Sequence, residues 1–95
     1  MKIIADLCIV PMGVGPSVSR YIREVRDIID ASGLDYDMHA NGTNIEGDMA
    51  AVTTCVEACC KRLHEMGVER IFCTMSFSTR NDKTQTMADK LAALA

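Results

Sequence analysis

The segment Asn41-Gly42-Thr43-Asn44-Ile45-Glu46-Gly47-Asp48 places several hydrogen-bonding side chains in a short run that contains two glycines. An Asn-Gly pair is the strongest short-range signal for a β-hairpin, so we predict a turn at Asn41-Gly42 and a short strand over residues 43–46. Because side chains alternate along a strand, Thr43 and Ile45 are expected to face the core. Asn44 and Glu46 are then expected on the opposite, outer face.

The chain on either side of this hairpin alternates between strand and helix patterns. Residues 2–10 form a nearly continuous apolar run that ends at Pro11, which is typical of a buried strand followed by a loop. Strict alternation of apolar and polar residues predicts a strand over 34–40. Alternation of Ile71, Cys73, Met75 and Phe77 with a second, mainly polar set predicts another over 68–78. Helical periodicity predicts one helix from Ser17 to Gly33, a second from Asp48 to Gly67 and a third that begins near Asp82.

The predicted order is therefore β-α-β-β-α-β-α in a single domain spanning residues 1–95. This is the α+β, ferredoxin-like βαββαβ arrangement with an added C-terminal helix. Two helices are expected to cover one face of a four-stranded antiparallel sheet. Ser17, Asp48 and Asp82 are the predicted N-caps, the last with Gln85 in a capping box. Three i,i+4 pairs are expected on the exposed side of the first helix: Arg20/Glu24, Arg23/Asp27 and Arg26/Asp30.

The outer face of this sheet is expected to carry both apolar and polar residues. Its apolar members are Ile4, Cys8, Val10 and Phe72, which favours burial against another copy of the chain. Its polar members are Asp6, Asp37, His39, Asn44, Glu46, Thr74 and Ser76. Polar groups on a covered face need partners, and two interpretations stay open: a wet interface, or a small-molecule pocket between or beside subunits.

Composition excludes several classes of protein. The net charge is −3 and no cluster of Lys and Arg is present, which argues against a nucleic-acid partner. No apolar run is long enough to cross a bilayer and no signal peptide is recognisable. Five cysteines are an odd number for a disulfide framework. We therefore expect a cytoplasmic protein with no membrane partner.

Catalytic and metal-binding patterns are weak. Cys55, Cys59 and His64 lack the paired spacing of a metal site, and we expect no metal and no cofactor. Cys8 and His39 share the predicted outer face, but nothing assigns an oxyanion hole to them. We expect a protein without catalytic residues, while an enzyme that uses Asp37, His39 and Glu46 on a small substrate remains an alternative.

Three sequence motifs of this chain resemble those of the thiamine-binding-protein family, a family of small ferredoxin-like proteins. They are Val10-Pro11-Met12-Gly13, then Gly42-Thr43-Asn44-Ile45-Glu46-Gly47, and Ser78-Thr79-Arg80-Asn81-Asp82-Lys83 with the Gln85-Thr86 and Asp89-Lys90 pairs that follow. The resemblance spans nearly the whole chain. It implies a homo-oligomer, commonly a tetramer built by sheet packing, that binds thiamine (vitamin B1) or its hydroxymethylpyrimidine portion.

A ligand of this kind contains an aminopyrimidine and, in thiamine, a thiazolium cation, which a carboxylate, a hydroxyl and an amide would suit. We expect these groups to come from Glu46, Thr43 and either Asn41 or Asn44. Asp6 adds a second carboxylate on the outer face. Tyr36, Phe72 or Met38 are expected to provide an apolar wall. Ser17 and Ser19, in the loop after the first strand, are candidates to reach a ligand, with helix capping as the alternative and default role. For residues 80–83 we favour a structural role, with Asp82 as the helix cap and Arg80 paired with a carboxylate such as Glu46.

Overall fold

The computed structural model describes residues 1–95 and confirms the ferredoxin-like fold. Its elements are β1 (Lys2–Met12), α1 (Ser19–Ala31), β2 (Asp35–His39), β3 (Gly42–Asp48), α2 (Met49–Glu65), β4 (Arg70–Ser78) and α3 (Met87–Ala92). The four strands form one antiparallel sheet in the order β2-β3-β1-β4. None of the helices combines the length and hydrophobicity that a bilayer crossing requires.

The core lies between one face of the sheet, here called the inner face, and helices α1 and α2. Helix α1 buries Tyr21, Val25 and Ile29, which recur every four residues and so lie on one side of the helix. Every second residue of β1 from Ile3 to Ile9 is buried against the helices. The remaining core residues are Ile45, Val52, Cys55, Cys59, Leu63 and Val68.

The alternation of β3 agrees with the prediction. Thr43 and Ile45 are buried on the inner face, at 4% and 0% exposure. Asn44 pairs with Asp6 of β1 and Asp37 of β2, so it lies on the outer face. Asn44 and Glu46 therefore point away from the main core, whereas Thr43 points into it.

The hairpin turn is one residue earlier than predicted. His39 pairs with Gly42, so the two-residue loop is Ala40-Asn41 and Gly42 is the first residue of β3. Gly42 does not have a positive φ. A Cβ at this position would lie 2.6 Å from the carbonyl oxygen of Leu7. Glycine is required here because β1 approaches closely, rather than by the turn itself.

The first strand is longer than predicted because it continues through Pro11 to Met12. Pro11 pairs with Ile71 of β4. The last pair between β1 and β3 is Leu7 with Thr43, so the end of β1 has a strand neighbour on one side only. Proline lacks an N–H donor and is tolerated at such an edge position.

Two of the predicted helix caps are wrong and one is confirmed. The N-cap of α1 is Val18 rather than Ser17, and no side chain bonds to the first turn. Asp48 caps α2 by accepting a hydrogen bond from the backbone N–H of Ala50 at 3.2 Å. Helix α3 begins after Thr86, which forms a capping box with Asp89. Asp82 lies well before this helix.

The predicted ion pairs are also corrected. The i,i+4 pairs of α1 do not form: Arg26 contacts Asp27 and Glu24 accepts from Arg62 of α2. Arg80 does not bind Glu46 but forms two hydrogen bonds with Asp82. These carboxylates therefore have partners in the folded chain that the spacing along the sequence does not indicate.

Helix α3 packs on the outer face of the sheet, where we expected no helix. The backbone N–H of Met87, its first residue, donates to Oε2 of Glu46 at 2.9 Å. Met87 and Leu91 also line a cavity together with Asp37 and Asn44. The added helix thus covers part of the polar outer face.

Candidate ligand-binding site

A row of polar side chains crosses the outer face, with one residue from each strand. The register pairs Asp37 with Asn44, Asn44 with Asp6, and Asp6 with Ser76. Directly opposed residues on one face of an antiparallel sheet have Cβ atoms about 4.5–5.5 Å apart. The row therefore brings two carboxylates, an amide and a hydroxyl together on a rigid sheet.

Asp6 connects this row through hydrogen bonds. Its Oδ1 lies 2.7 Å from Nε2 of His39 and 3.4 Å from Nδ2 of Asn44. The backbone N–H of Asn41 donates to Nδ1 of His39 at 3.3 Å. Because Nδ1 accepts, the ring proton is on Nε2 and is donated to Asp6. Oδ2 of Asp6 has no protein partner, and the side chain is half exposed, so this oxygen can accept a bond from a ligand.

A groove runs beside the row and below α3. One cavity of about 290 Å³ is lined by Asp6, Asn44, Ser76 and Ser78, and a second of about 180 Å³ by Asp37, Asn44, Met87 and Leu91. Both cavities are also lined by Ile4 and Lys90, so they adjoin. We call this continuous space the outer groove.

The outer groove has the composition expected of a site for a small polar ring. Ile4, Met87 and Leu91 provide apolar walls, while the carboxylates of Asp6 and Asp37 accept hydrogen bonds or face a cation. The amide of Asn44 offers both donors and an acceptor. Small-molecule sites in general combine apolar walls with a few placed polar groups.

Glu46 lies on the same face but beneath α3. It is only 8% exposed and one carboxylate oxygen accepts from the backbone N–H of Met87. This carboxylate stabilises the start of α3, where the helix N-terminus favours a negative charge. In this structure Glu46 shapes the groove by holding the helix that covers it.

Apart from the outer groove, another cavity lies on the inner face, at the hairpin end of the sheet. It has a volume of about 210 Å³ and is lined by Thr43, Met38 and Asn41 together with residues of β1 and α1. Nine of its fourteen lining residues are hydrophobic and none is a carboxylate. This hairpin cavity suits an apolar group better than a cation.

The predicted site residues therefore fall into separate places. Asp6 and Asn44 lie in the outer groove, whereas Thr43, Met38 and Asn41 line the hairpin cavity on the other side of the sheet. Neighbouring residues of β3 must point to opposite faces, so one ligand in the outer groove does not touch both sets. Asp37 and Ser76 were expected on the outer face but were not predicted as ligand-binding residues.

Tyr36 and Ser19 line neither space. The hydroxyl of Tyr36 donates to Oδ1 of Asp30 at 3.0 Å, and this hydrogen bond raises the pKa of Tyr36. Ser19 is the first residue of α1.

The sequence did not predict that Met87, Lys90 and Leu91 line the outer groove, because no strand or helix pattern indicated that α3 folds onto the outer face.

The cysteines do not form a nucleophilic site. Burial raises the pKa of Cys59 to about 12, so its thiol stays protonated at neutral pH. Cys8 lies on the outer face, but both ring nitrogens of His39 have other partners, Nε2 with Asp6 and Nδ1 with the backbone N–H of Asn41, so neither accepts a proton from Cys8. All five cysteines are free thiols.

Comparison with known proteins identifies relatives over the whole length of the chain. The family model described as "Thiamine-binding protein" matches residues 5–95. A UPF0045 protein of Synechocystis is 45% identical over 99% of this chain and 78% of its own length. A solved structure from Methanocaldococcus jannaschii is 28% identical, with a TM-score of 0.91 over 98% of this chain and 95% of that one.

A Thermotoga maritima structure, whose protein is provisionally assigned to thiamine biosynthesis or salvage, shares the fold. Its TM-score is 0.84 over the full length of both chains, at 17% identity. At that identity the likeness concerns the fold alone. The conserved architecture is thus the complete βαββαβ unit with its C-terminal segment.

Proposed function

Because the chain belongs to the thiamine-binding protein family, we propose that it binds thiamine or the hydroxymethylpyrimidine portion of thiamine in the outer groove. The observation that carries this proposal is the cross-strand row of Asp37, Asn44, Asp6 and Ser76. Four strands hold these groups, so the site is preorganised and the ligand does not have to order a loop.

The groups of the row match those of the ligand. An aminopyrimidine has an exocyclic amine that donates and ring nitrogens that accept. Oδ2 of Asp6 can accept from the amine, and Ser76 or Asn44 can donate to a ring nitrogen. The apolar faces of the ring rest on Ile4 and Leu91. The carboxylate of Asp37 faces the delocalised cation of the thiazolium ring in intact thiamine.

A homo-oligomer, in the form of a tetramer, is part of this proposal. Val10, Met12 and Phe72 are 41%, 40% and 61% exposed, and the register puts all three on the outer face beyond the polar row. A contiguous apolar surface of this kind favours association. A second sheet packed there would close the open side of the outer groove. Light scattering that shows a monomer would contradict this part of the proposal.

We propose binding without catalysis, in the cytoplasm. No histidine lines the outer groove, and the imidazole of His39 is bonded to Asp6. Five unpaired thiols suit a reducing compartment. An enzyme that uses Asp37, His39 and Glu46 would instead consume a metabolite. Incubating concentrated protein with a metabolite pool, followed by mass spectrometry, distinguishes the two functions, because turnover of any component would refute the proposal.

Thermal unfolding in the presence of candidate ligands tests the proposed function. Thiamine or the pyrimidine alcohol at about 100 times its Kd should stabilise the protein by roughly 2.7 kcal/mol, and riboflavin should not. Absence of a shift with either ligand would leave a structural or regulatory oligomer as the better interpretation.

Two variants then locate the site. Asp6→Asn should weaken binding because it removes a charge-assisted hydrogen bond, which typically contributes about 1.5–3 kcal/mol. Thr43→Val changes the hairpin cavity at nearly constant volume and should leave binding unchanged. The opposite pattern would move the ligand to the hairpin cavity.

A further inference from the structure

A small cavity at the end of β4 is lined by an unusual concentration of positive charge. The cavity has a volume of about 70 Å³ and lies between the start of β1 and residues 78–85. Its three charged lining residues are Lys2, Arg80 and Lys83, and no carboxylate lines it. The whole chain has ten basic and thirteen acidic residues, so this local excess of cations runs against the overall charge.

The hydrogen-bond donors of this cavity are largely unused. Lys2 and Lys83 make no ion pair. The hydroxyl groups of Ser78, Thr79 and Thr84 also line the cavity, and none of them bonds to another protein group. Three residues with unused hydroxyl groups and two lysines without ion pairs therefore line a space that holds only a few heavy atoms.

Arg80 is held in a fixed orientation beside these groups. Its Nη2 donates to Oδ2 of Asp82 at 2.8 Å and its Nη1 to Oε1 of Gln85 at 3.2 Å, while Nε bonds to Oδ1 of Asp82. A guanidinium has five N–H donors, so two remain for a ligand. This pairing also holds the pKa of Asp82 below its usual range. Asp82 occupies the edge formed by Nε and Nη2, so an oxyanion would accept from the one remaining N–H of Nη1 and of Nη2.

We propose that this cavity binds the phosphate group of a phosphorylated ligand whose ring lies in the outer groove. The two spaces adjoin, because Ile4 and Ser78 line both. The Ile4–Ser78 pair lies two residues along the sheet from the Asp6–Ser76 pair, a distance of about 7 Å. The ligand class is a phosphate ester of the pyrimidine alcohol or of thiamine. The inference rests on the proposed function.

One carboxylate, that of Asp89, lies within electrostatic range of the two lysines. The hydrogen bonds to Thr86 hold the pKa of Asp89 below its usual range, and the charges of Lys83 and Lys2 lower it further. An incoming anion must compete with Asp89 for the same cations. A phosphate monoester carries a second negative charge above its second pKa of about 6. Binding of the ester should therefore strengthen as the pH rises from 5 to 7, whereas binding of thiamine should not.

Calorimetric titration at low ionic strength tests the inference with three probes: thiamine, thiamine monophosphate and inorganic phosphate. The wild-type protein should bind the monophosphate at least about tenfold more tightly than thiamine, which is the factor that one charge-assisted hydrogen bond supplies. The double variant Lys2→Gln/Lys83→Gln should lose this preference and keep its affinity for thiamine. Lys61→Gln is the control, because Lys61 is an exposed lysine of α2 paired with Glu57.

The outcomes separate this inference from the proposed function. Equal affinities of the wild-type protein for thiamine and its monophosphate would overturn the phosphate site and leave the proposed function intact. Binding of inorganic phosphate, lost in the double variant, without any binding of thiamine would overturn the proposed function and support the anion site. Failure of all three probes to bind a correctly folded protein would overturn both.

Discussion

The contact between Glu46 and helix α3 leads to the most detailed prediction. Glu46→Ala removes the acceptor for the backbone N–H of Met87, which lies 2.9 Å from Oε2. A hydrogen bond to a charged group typically contributes about 1.5–3 kcal/mol. No residue of α3 is buried, so little else holds this helix to the sheet. We expect the local opening of α3 to become about 10- to 150-fold more frequent.

Amide hydrogen exchange measures this opening directly. The amides of residues 87–92 should exchange faster in Glu46→Ala, while those of the core strands keep their protection. Glu46→Gln retains an acceptor oxygen and should show an effect smaller by about 1 kcal/mol. Glu57→Ala is the matched control, because Glu57 forms only an exposed i,i+4 pair with Lys61 at 3.0 Å and such pairs contribute about 0.3–0.5 kcal/mol.

Unchanged exchange in α3 after Glu46→Ala would refute the structural role of this carboxylate. Ligand binding by Glu46→Gln then separates the two possible roles. Loss of thiamine affinity while α3 keeps its protection would show that Glu46 contacts the ligand, as first expected from the sequence. Parallel loss of affinity and protection would show that Glu46 acts through the helix.

Three further predictions concern the fold. Gly42→Ala should destabilise the protein by about 1–3 kcal/mol in urea unfolding, because the added Cβ would lie 2.6 Å from the carbonyl oxygen of Leu7. If the variant is as stable as the wild type, β1 does not approach this residue so closely. Hydrogen bonds from the N-terminal amine and from the backbone N–H of Ala50 hold the pKa of Asp48 below its usual range. Asp48→Asn should therefore lower Tm at pH 7, with the difference fading as the pH falls below about 3.8; a difference that persists in acid would contradict this linkage. Iodoacetamide at pH 8 should leave Cys59 unmodified in the native protein, because burial raises the pKa of this thiol to about 12. Rapid modification of Cys59, detected by mass spectrometry, would show that this side chain is not buried.

The sequence predicts which face each strand residue occupies, because a period of two leaves only two choices. Once Ile45 is assigned to the core, Asn44 and Glu46 must lie on the outer face, and the structure agrees. Asp48 was also predicted correctly as a cap, since its side chain precedes a clear helical period. Local patterns of this kind depend on neighbours along the chain.

The errors arise where the reason for a residue lies on another strand. Gly42 looks like a turn residue, yet it is required by the carbonyl oxygen of Leu7, which is distant in sequence. The role of Glu46 is set by Met87, which lies forty-one residues away. Thr86 and Asp89 form the capping box that the sequence also offered at Asp82 and Gln85. Only the tertiary contact with the sheet distinguishes the two positions.

The side-chain amides of Asn44 and Asn41 allow the most direct test of the proposed site. Asn44 lies in the outer groove and Asn41 lines the hairpin cavity on the opposite side of the sheet. In a titration of the ¹⁵N-labelled protein with thiamine, we predict that the Asn44 side-chain NH₂ resonances shift and saturate while those of Asn41 stay in place. Saturable shifts at Asn41 with none at Asn44 would contradict binding in the outer groove.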